Sequence, residues 1–233
     1  MKLFKNEIMN GKVCIGLIAG TPTDTCFGLN FLQSRNYQGI GLPISETPQA
    51  QTQLQALSKE KLTQHVLATV KQLAEEGADC CMIYCNSLSG AIDIDTINAS
   101  SNIPLVTPLD VYAELTMQYR NFGLLAANCQ SCANVERIIL EHNPTAKVIG
   151  IGNLQIVEDI EVGLKPEKII SLHALTDLTD ALVKSGVQVF ILGCTHFDYF
   201  FDELLAITQG IKLFQPSERM LELLLLKVEK AEA

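Results

Sequence analysis

Short apolar runs alternate along the chain with segments that have the periodicity of amphipathic helices. Val13–Ile18 and Cys80–Tyr84 are apolar runs of strand length, which predicts two buried strands. Lys59–Gly77 predicts a helix between them, because its apolar positions recur every three or four residues on one face: Leu62, Val66, Val70 and Leu73. Strands separated by helices are typical of βαβ units, so the pattern predicts an α/β fold with a mostly parallel sheet.

The second half of the chain repeats the pattern of the first about 108 positions later. The three correspondences occur in the same order: Ile15–Ala19 with Phe122–Ala126, Cys85 with Cys194 after an apolar run, and Ile103–Pro108 with Ile211–Pro216. Shared hydrophobic strands alone would not place a cysteine at the same strand end in both halves. We therefore predict a duplication with two pseudo-symmetric α/β lobes, each with a sheet flanked by helices.

The repeat also predicts how the chain divides. Residues 1–107 and 211–233 are expected to form a first lobe that carries Cys85, and residues 108–210 a second lobe that carries Cys194. The last segment is assigned to the first lobe because its strand mirrors the crossing segment at Ile103. Ligands of open α/β sheets bind beyond the carboxyl ends of the strands. Two facing lobes would then place the two cysteines on opposite walls of one cleft, the predicted active site.

The composition excludes several classes of function. Hydrophobic residues make up 48% of the chain and the net charge is −9, without a basic stripe to neutralise nucleic-acid phosphates. The polar N-terminus does not resemble a signal peptide, and no apolar run is long enough to span a bilayer. Eight cysteines then indicate reduced thiols in a cytoplasmic protein. We expect no nucleic-acid or membrane partner, and a homodimer as the commonest oligomer.

Two of these cysteines combine a strand end with polar neighbours. Cys85 precedes Asn86-Ser87, and Cys194 precedes Thr195-His196. The start of a helix favours a thiolate, and its backbone N–H groups can hold a carboxylate. Racemisation needs two acid/base groups on opposite faces of one carbon, because a single base tends to return the proton to the face it left. We therefore predict Cys85 and Cys194 as the proton-transfer residues of such a reaction.

At these residues the chain resembles a known family. Cys85–Ser87 resembles the Cys-Asn-Thr motif of the aspartate/glutamate racemases, and Gly193–His196 resembles the Gly-Cys-Thr-His motif of the glutamate racemase branch. The resemblance covers nearly the whole chain. It implies two α/β lobes, a small amino-acid substrate, no cofactor and no metal, and paired catalytic cysteines. It further implies that Asn86, Ser87 and Thr195 contact the substrate and that His196 assists Cys194.

The turns after the two opening strands depart from the family pattern. Glutamate racemases have Asp-Ser-Gly after the first strand, with the Asp supporting the first cysteine, whereas Ala19–Thr21 is closer to the Gly-Gly-Met-Gly-Pro of aspartate racemases. Ala126–Ser131 replaces a Thr-rich turn in the second half. Cys85 is therefore expected to lack a side-chain partner. Three residues of these turns are predicted to contact the substrate: Gly20, Thr21 and Asn128.

The remaining thiols and acidic residues have simpler interpretations. Cys14, Cys80 and Cys81 lie within strands and are expected to be core residues. The CxxC of Cys129 and Cys132 lacks the second ligand pair of a zinc site and is taken as incidental. The acidic residues of Glu158–Glu161 are expected to form a solvated face.

Two alternatives to an aspartate or glutamate racemase stay open. One is another enzyme of the superfamily, such as a hydantoin racemase or a maleate isomerase, that uses the same two cysteines. The other is a catalytically inactive protein that binds a small anion, which the substitutions at Ala19 and Ala127 would favour.

Overall fold

The computed structural model describes residues 2–6, 13–54 and 56–232, which divide into two compact units. The described residues up to Pro108, with those from Ser217 onward, form the first unit, and Leu109–Pro216 form the second. Each unit has a sheet of largely parallel strands with helices around it, so the predicted α/β class is confirmed. Within the described residues, no helix is both long and apolar enough to cross a membrane.

Among the described residues of the first unit, five strands form a sheet in the order β1-β3-β2-β4-β5, with β1 antiparallel. The strands are β1 (Phe4–Lys5), β2 (Cys14–Ala19), β3 (Gln38–Pro43), β4 (Cys80–Tyr84) and β5 (Leu105–Val106). The helices between them are α1 (Pro22–Ser34), α2 (Pro48–Leu54), α3 (Lys59–Glu75), α4 (Asn86–Ala91) and α5 (Ile94–Ser100).

Helices α1 and α3 pack on opposite faces of this sheet. The four apolar positions predicted on one face of α3 are all buried and join a core cluster with Ile18 and Ile83. On the other face α1 lies so close to β2 that a Cβ on Gly28 would stand 2.5 Å from the Cδ1 atom of Leu17. Both sides of β2 and β4 are therefore covered, which explains why their sequences are continuously apolar.

The second unit is built in the same way around four strands in the order β7-β6-β8-β9, counted over its described residues. The strands are β6 (Asn121–Ala126), β7 (Lys147–Gly152), β8 (Val189–Gly193) and β9 (Lys212–Phe214). The helices are α6 (Pro108–Leu115), α7 (Cys129–His142), α8 (Leu154–Glu161), α9 (Pro166–Leu172), α10 (Leu175–Lys184), a 3-10 helix (Thr195–Phe200) and α11 (Phe201–Ile207).

The repeat seen in the sequence is also visible in the strand order. The sequence β3-β2-β4-β5 in the first unit has the same connectivity as β7-β6-β8-β9 in the second. Each unit is completed by a helix that follows the last strand of the other: α6 follows β5 but belongs mostly to the second unit, and α12 (Ser217–Glu232) follows β9 but belongs to the first. The Nζ atom of Lys227 in α12 donates to the carbonyl oxygen of Leu105 at 2.8 Å.

One boundary in the sequence analysis was wrong. Residues 211–216 were assigned to the first lobe, but β9 pairs in parallel with β8 and belongs to the second unit. The repeat explains why β9 belongs to the second unit: β5 pairs with β4 at the edge of its own sheet, and β9 occupies the equivalent edge of the second sheet. Only the helix after each edge strand changes unit.

Gly152, at the end of β7, is expected to tolerate no larger residue. A Cβ on Gly152 would lie well inside van der Waals contact of the backbone of Asn128 and Cys129, which cannot move aside as a side chain could. We expect Gly152→Ala to lower the free energy of unfolding by about 1–3 kcal/mol, measured by guanidinium denaturation.

Gly150→Ala is the matched control on the same strand. Its Cβ would meet the Cys132 side chain at 3.5 Å, an ordinary contact, so its effect should stay within about 0.5 kcal/mol. Equal stability losses in the two variants would contradict this account of β7.

Candidate active site

The predicted site residues lie at the carboxyl ends of two neighbouring strands in each unit. In the first unit β2 and β4 end side by side, with Ala19 opposite Tyr84, and in the second β6 and β8 do the same, with Ala126 opposite Gly193. The residues that follow these strands are Gly20 and Thr21, then Cys85, Asn86 and Ser87, in the first unit, and Asn128, then Cys194, Thr195 and His196, in the second. The structure thus brings together the predicted residues of each unit.

The thiol of Cys85 lies at the start of α4. The residue has an extended backbone, with φ −163° and ψ 113°, and is the N-cap of the helix, as the sequence predicted. Its Sγ atom accepts a hydrogen bond from the backbone N–H of Leu88 at 3.4 Å, and its carbonyl accepts from the Ser89 hydroxyl at 2.7 Å. The sulfur is therefore oriented by the first turn of the helix, and the residue is only 3% exposed.

A second group reaches the same sulfur from α2. The side-chain amide of Gln51 donates from Nε2 to the Sγ atom of Cys85 at 2.9 Å. The expectation that Cys85 lacks a side-chain partner was therefore wrong. The partner lies 34 residues upstream, on a helix in which sequence analysis had assigned no site residue.

The thiol of Cys194 occupies the equivalent place in the second unit but has different surroundings. Its backbone is again extended, with φ −146° and ψ 131°, yet a 3-10 helix follows and the thiol caps no backbone N–H. The Sγ atom instead lies 3.8 Å from Nδ1 of His196, whose Nε2 contacts Oε1 of Glu161 at 2.9 Å. With His196 1% exposed and Cys194 8%, these three side chains form a largely buried chain of polar contacts.

Glu161 was missed because the acidic segment at residues 158–161 was taken as a solvated face. Its side chain is only 18% exposed and faces His196. A sequence signal did exist, because Glu161 follows the buried Val157 by four positions and so falls on the inner face of α8. Gln51 carries no comparable signal, since an amide in a polar helix is typical of a solvated surface.

Two predicted substrate contacts have structural roles as equivalent helix caps. Thr21 caps α1 by accepting from the N–H of Asp24 at 3.2 Å, and Asn128 caps α7 by accepting from the N–H of Ser131 at 2.8 Å. The Nδ2 atom of Asn128 is buried without a hydrogen-bond partner among the described residues, so this amide still has a donor to offer. Thr21 is fully buried, and contact of either residue with a substrate stays a prediction.

The other predicted residues are buried beside the thiols. Asn86, Ser87 and Thr195 are each less than 5% exposed. Gly20 is also buried, and its N–H donates to Oδ2 of Asp24 at 3.0 Å. These residues lie close to a cysteine because they follow the same strand ends, and their contact with a substrate stays a prediction.

Cys14, Cys80 and Cys81 are buried, as the sequence analysis expected of core thiols, and Cys132 is buried as well. Burial, with the nearby Asp79 carboxylate, raises the pKa of Cys80 to about 12 and also raises that of Cys14. Burial likewise raises the pKa of Cys81, and it raises that of Cys132 to about 11. All eight cysteines are free thiols, and the described residues contain no group of three or more His, Cys, Asp or Glu that could hold a metal ion.

Comparisons with known proteins point to one family. The sequence model of a family described as Asp/Glu/hydantoin racemase matches residues 40–219. A glutamate racemase of Persephonella marina is 24% identical over 164 residues, which are 69% of this chain and 62% of that protein. The chain thus matches less than two thirds of the length of this relative.

Solved structures share the fold at low identity. Glutamate racemase from Francisella tularensis, in complex with D-glutamate, is 20% identical with a TM-score of 0.69, covering 94% of this chain and 82% of that one. Allantoin racemase from Klebsiella pneumoniae is 12% identical with a TM-score of 0.71, covering 94% and 89%. These likenesses concern the fold of the chain.

The burial of the thiols predicts their order of reaction with iodoacetamide. The thiolate is the nucleophile, so Cys80 and Cys81, buried and held as thiols by their raised pKa, should stay unmodified in the native protein at mildly alkaline pH. The exposed Cys26 and Cys129 should be alkylated first. Peptide mass spectrometry measures the order, with guanidinium-unfolded protein as the control, and early modification of Cys80 or Cys81 would contradict it.

Proposed function

Because the chain belongs to the Asp/Glu/hydantoin racemase family, we propose that it interconverts the enantiomers of an amino acid by moving the proton on Cα. The proposed substrate is aspartate or glutamate, and the proposed acid/base groups are Cys85 and Cys194. The reaction would be an isomerisation that uses no cofactor.

The observation that carries this proposal is the repetition of one arrangement in both units. In each unit a cysteine with an extended backbone follows a buried strand directly and precedes a helical turn. That strand is β4, which pairs with β2, in the first unit and β8, which pairs with β6, in the second. Each sulfur also has a polar side chain beside it, Gln51 in one unit and His196 in the other. A protein that only binds an anion needs one set of binding residues, whereas a racemase needs two proton-transfer groups.

The proposed reaction uses both thiols in one turnover. The thiolate of one cysteine takes the α-proton and becomes a thiol, and the electron pair left on Cα delocalises into the substrate carboxylate. The thiol of the other cysteine then gives its proton to the opposite face of Cα and becomes a thiolate. The product is the other enantiomer, and the two cysteines have exchanged protonation states. The reverse reaction therefore starts from the state that the forward reaction leaves.

The carboxylate of this intermediate needs donors that are already in place. Backbone N–H groups at the start of a helix provide such donors, and the side chains of Asn86, Ser87 and Thr195 lie directly after the two cysteines. We assign the substrate carboxylate and ammonium to these positions. This assignment keeps Cα beside the sulfurs, because each of these three residues is one or two positions along the chain from a cysteine.

His196 and Glu161 would serve the second thiol. Glu161 accepts a hydrogen bond from Nε2 of His196 and so orients the ring with Nδ1 towards the sulfur of Cys194. The imidazole can then exchange a proton with Cys194 or with the substrate, and the carboxylate stabilises the ring when it is protonated. This pairing, within a Gly-Cys-Thr-His segment, supports an acidic amino acid of the kind named for the glutamate racemases that the chain resembles.

Replacing either active cysteine should abolish the reaction. We expect Cys85→Ser and Cys194→Ser each to lower racemisation of aspartate or glutamate at least about 100-fold, the scale of general acid–base catalysis. Polarimetry without added cofactor, over a panel that includes hydantoins, measures the rate and identifies the substrate. In D₂O the wild-type protein should introduce deuterium at Cα.

Cys26→Ser is the control, because Cys26 is an exposed thiol outside the proposed site. It should racemise at the wild-type rate. Normal turnover in either active-cysteine variant would refute the two-thiol mechanism, and ligand binding without deuterium exchange in the wild-type protein would support the inactive binding protein.

The carboxylate behind His196 should affect catalysis more than stability. Glu161→Gln keeps the shape of the side chain but removes the charge that stabilises a protonated imidazole, so kcat should fall about 10-fold or more. Asp159→Asn is the matched control on the same helix, because Asp159 contacts Nε2 of His173 at 2.7 Å and not His196. Equal losses of kcat in the two variants would show that α8 contributes only to stability.

A further inference from the structure

The contact between Gln51 and Cys85 extends the proposed function to a residue outside both cysteine motifs. The Nε2 atom of Gln51 lies 2.9 Å from the Sγ atom of Cys85, which is short for a hydrogen bond to sulfur. An amide N–H can only donate, so the sulfur accepts, and a thiolate accepts more strongly than a thiol. The contact therefore favours the base form of Cys85, the form that removes an α-proton.

Space for this amide is left by Gly20. A Cβ added to Gly20 would lie 2.6 Å from Cδ and Nε2 of Gln51, so no larger residue fits at the end of β2 while the amide keeps its place. The turn after β2, Ala19–Thr21, therefore leaves the space beside Cys85 open to a side chain from α2. The side chain of Gln51 thus reaches Cys85 from α2 through the space that the absent side chain of Gly20 leaves.

The helix that carries Gln51 is fixed to the same turn. The Ser45 N–H and hydroxyl both donate to the carbonyl oxygen of Gly20, at 3.1 and 2.7 Å. The hydroxyl of Thr47 then accepts from the N–H of Ala50, and the carbonyl of Thr47 accepts from the N–H of Gln51 at 2.9 Å. Together these hydrogen bonds connect the turn after β2 to the first turn of α2. They therefore fix the position of the Gln51 amide relative to Cys85.

We propose that Gln51 is a positioning residue for Cys85, and that Gly20 is required because it makes room for the Gln51 amide. The proposal rests on the function assigned above to Cys85. Gln51 acts through the sulfur: it holds the thiolate towards the substrate and reduces the cost of keeping it charged in a buried site. This differs from a carboxylate partner, which would accept a proton from the thiol and disfavour the thiolate by repulsion.

The test compares four variants in the full-length protein. Gln51→Ala removes the donor, Gln51→Glu keeps the shape but replaces the donor with an acceptor, and Gly20→Ala displaces the amide without touching it chemically. Gln53→Ala is the control, because Gln53 is an exposed amide on the same helix. The ultraviolet absorbance of the thiolate is followed against pH and compared with that of the same protein carrying Cys85→Ser, which isolates Cys85.

In Gln51→Ala and Gly20→Ala we expect the midpoint for ionisation of Cys85 to rise by about one pH unit, a tenfold loss of thiolate near neutrality. Gln51→Glu should raise it further, and Gln53→Ala should leave it unchanged. The kcat/KM of racemisation should fall about tenfold near neutral pH and recover as the pH passes the new midpoint. A purely structural role would lower kcat/KM equally at every pH.

The outcomes separate this inference from the proposed function. If Gln51→Ala, Gln51→Glu and Gly20→Ala titrate like Gln53→Ala, the role of Gln51 is overturned even when every variant racemises its substrate. If the midpoint shifts as expected but the wild-type protein racemises nothing, the hold of Gln51 on the thiol is sustained and the proposed function is overturned instead.

Discussion

The geometry of a cysteine between a parallel strand and the helical turn after it is the constraint on which both halves depend. Cys85 and Cys194 share an extended backbone, with φ of −163° and −146°. The strand before each is buried on both faces, so the first polar residue appears only where the strand ends. At Cys85 that position meets a backbone N–H of the next turn, which stabilises an anion. The fold therefore provides two equivalent positions for a cysteine at the carboxyl end of a strand.

The two positions have similar backbones but different side chains around them. Cys85 accepts hydrogen bonds from a helix N–H and from the neutral amide of Gln51. Cys194 lies beside a histidine that is itself held by Glu161. Cys85 is thus contacted by groups that only donate hydrogen bonds, whereas Cys194 lies beside a histidine that can itself take up a proton. In the proposed racemase the two half-reactions would be supported by different means on a common scaffold.

Much of the scaffold could be predicted because it depends on local pattern. β4 has the predicted bounds, α3 buries the predicted face, and the repeat identified the equivalent cysteines. The boundary at residues 211–216 was wrong because the repeat was not followed to its end: β5 stays with its own sheet, and β9 does the same. Gln51 contacts Cys85 and Glu161 contacts His196 from other helices, and the only sequence signal for either was the four-residue spacing of Glu161 from Val157. Contacts of this kind depend on packing, which periodicity does not encode.

The central claim is that the two thiols serve a single carbon atom, and it can be tested chemically. A bifunctional alkylating reagent about as long as one amino acid would be applied to the native protein, and bridged peptides identified by mass spectrometry. The account predicts a bridge between Cys85 and Cys194 that aspartate or glutamate prevents from forming. Modification of the two cysteines only as separate adducts, with no bridge and no protection by an amino acid, would contradict it.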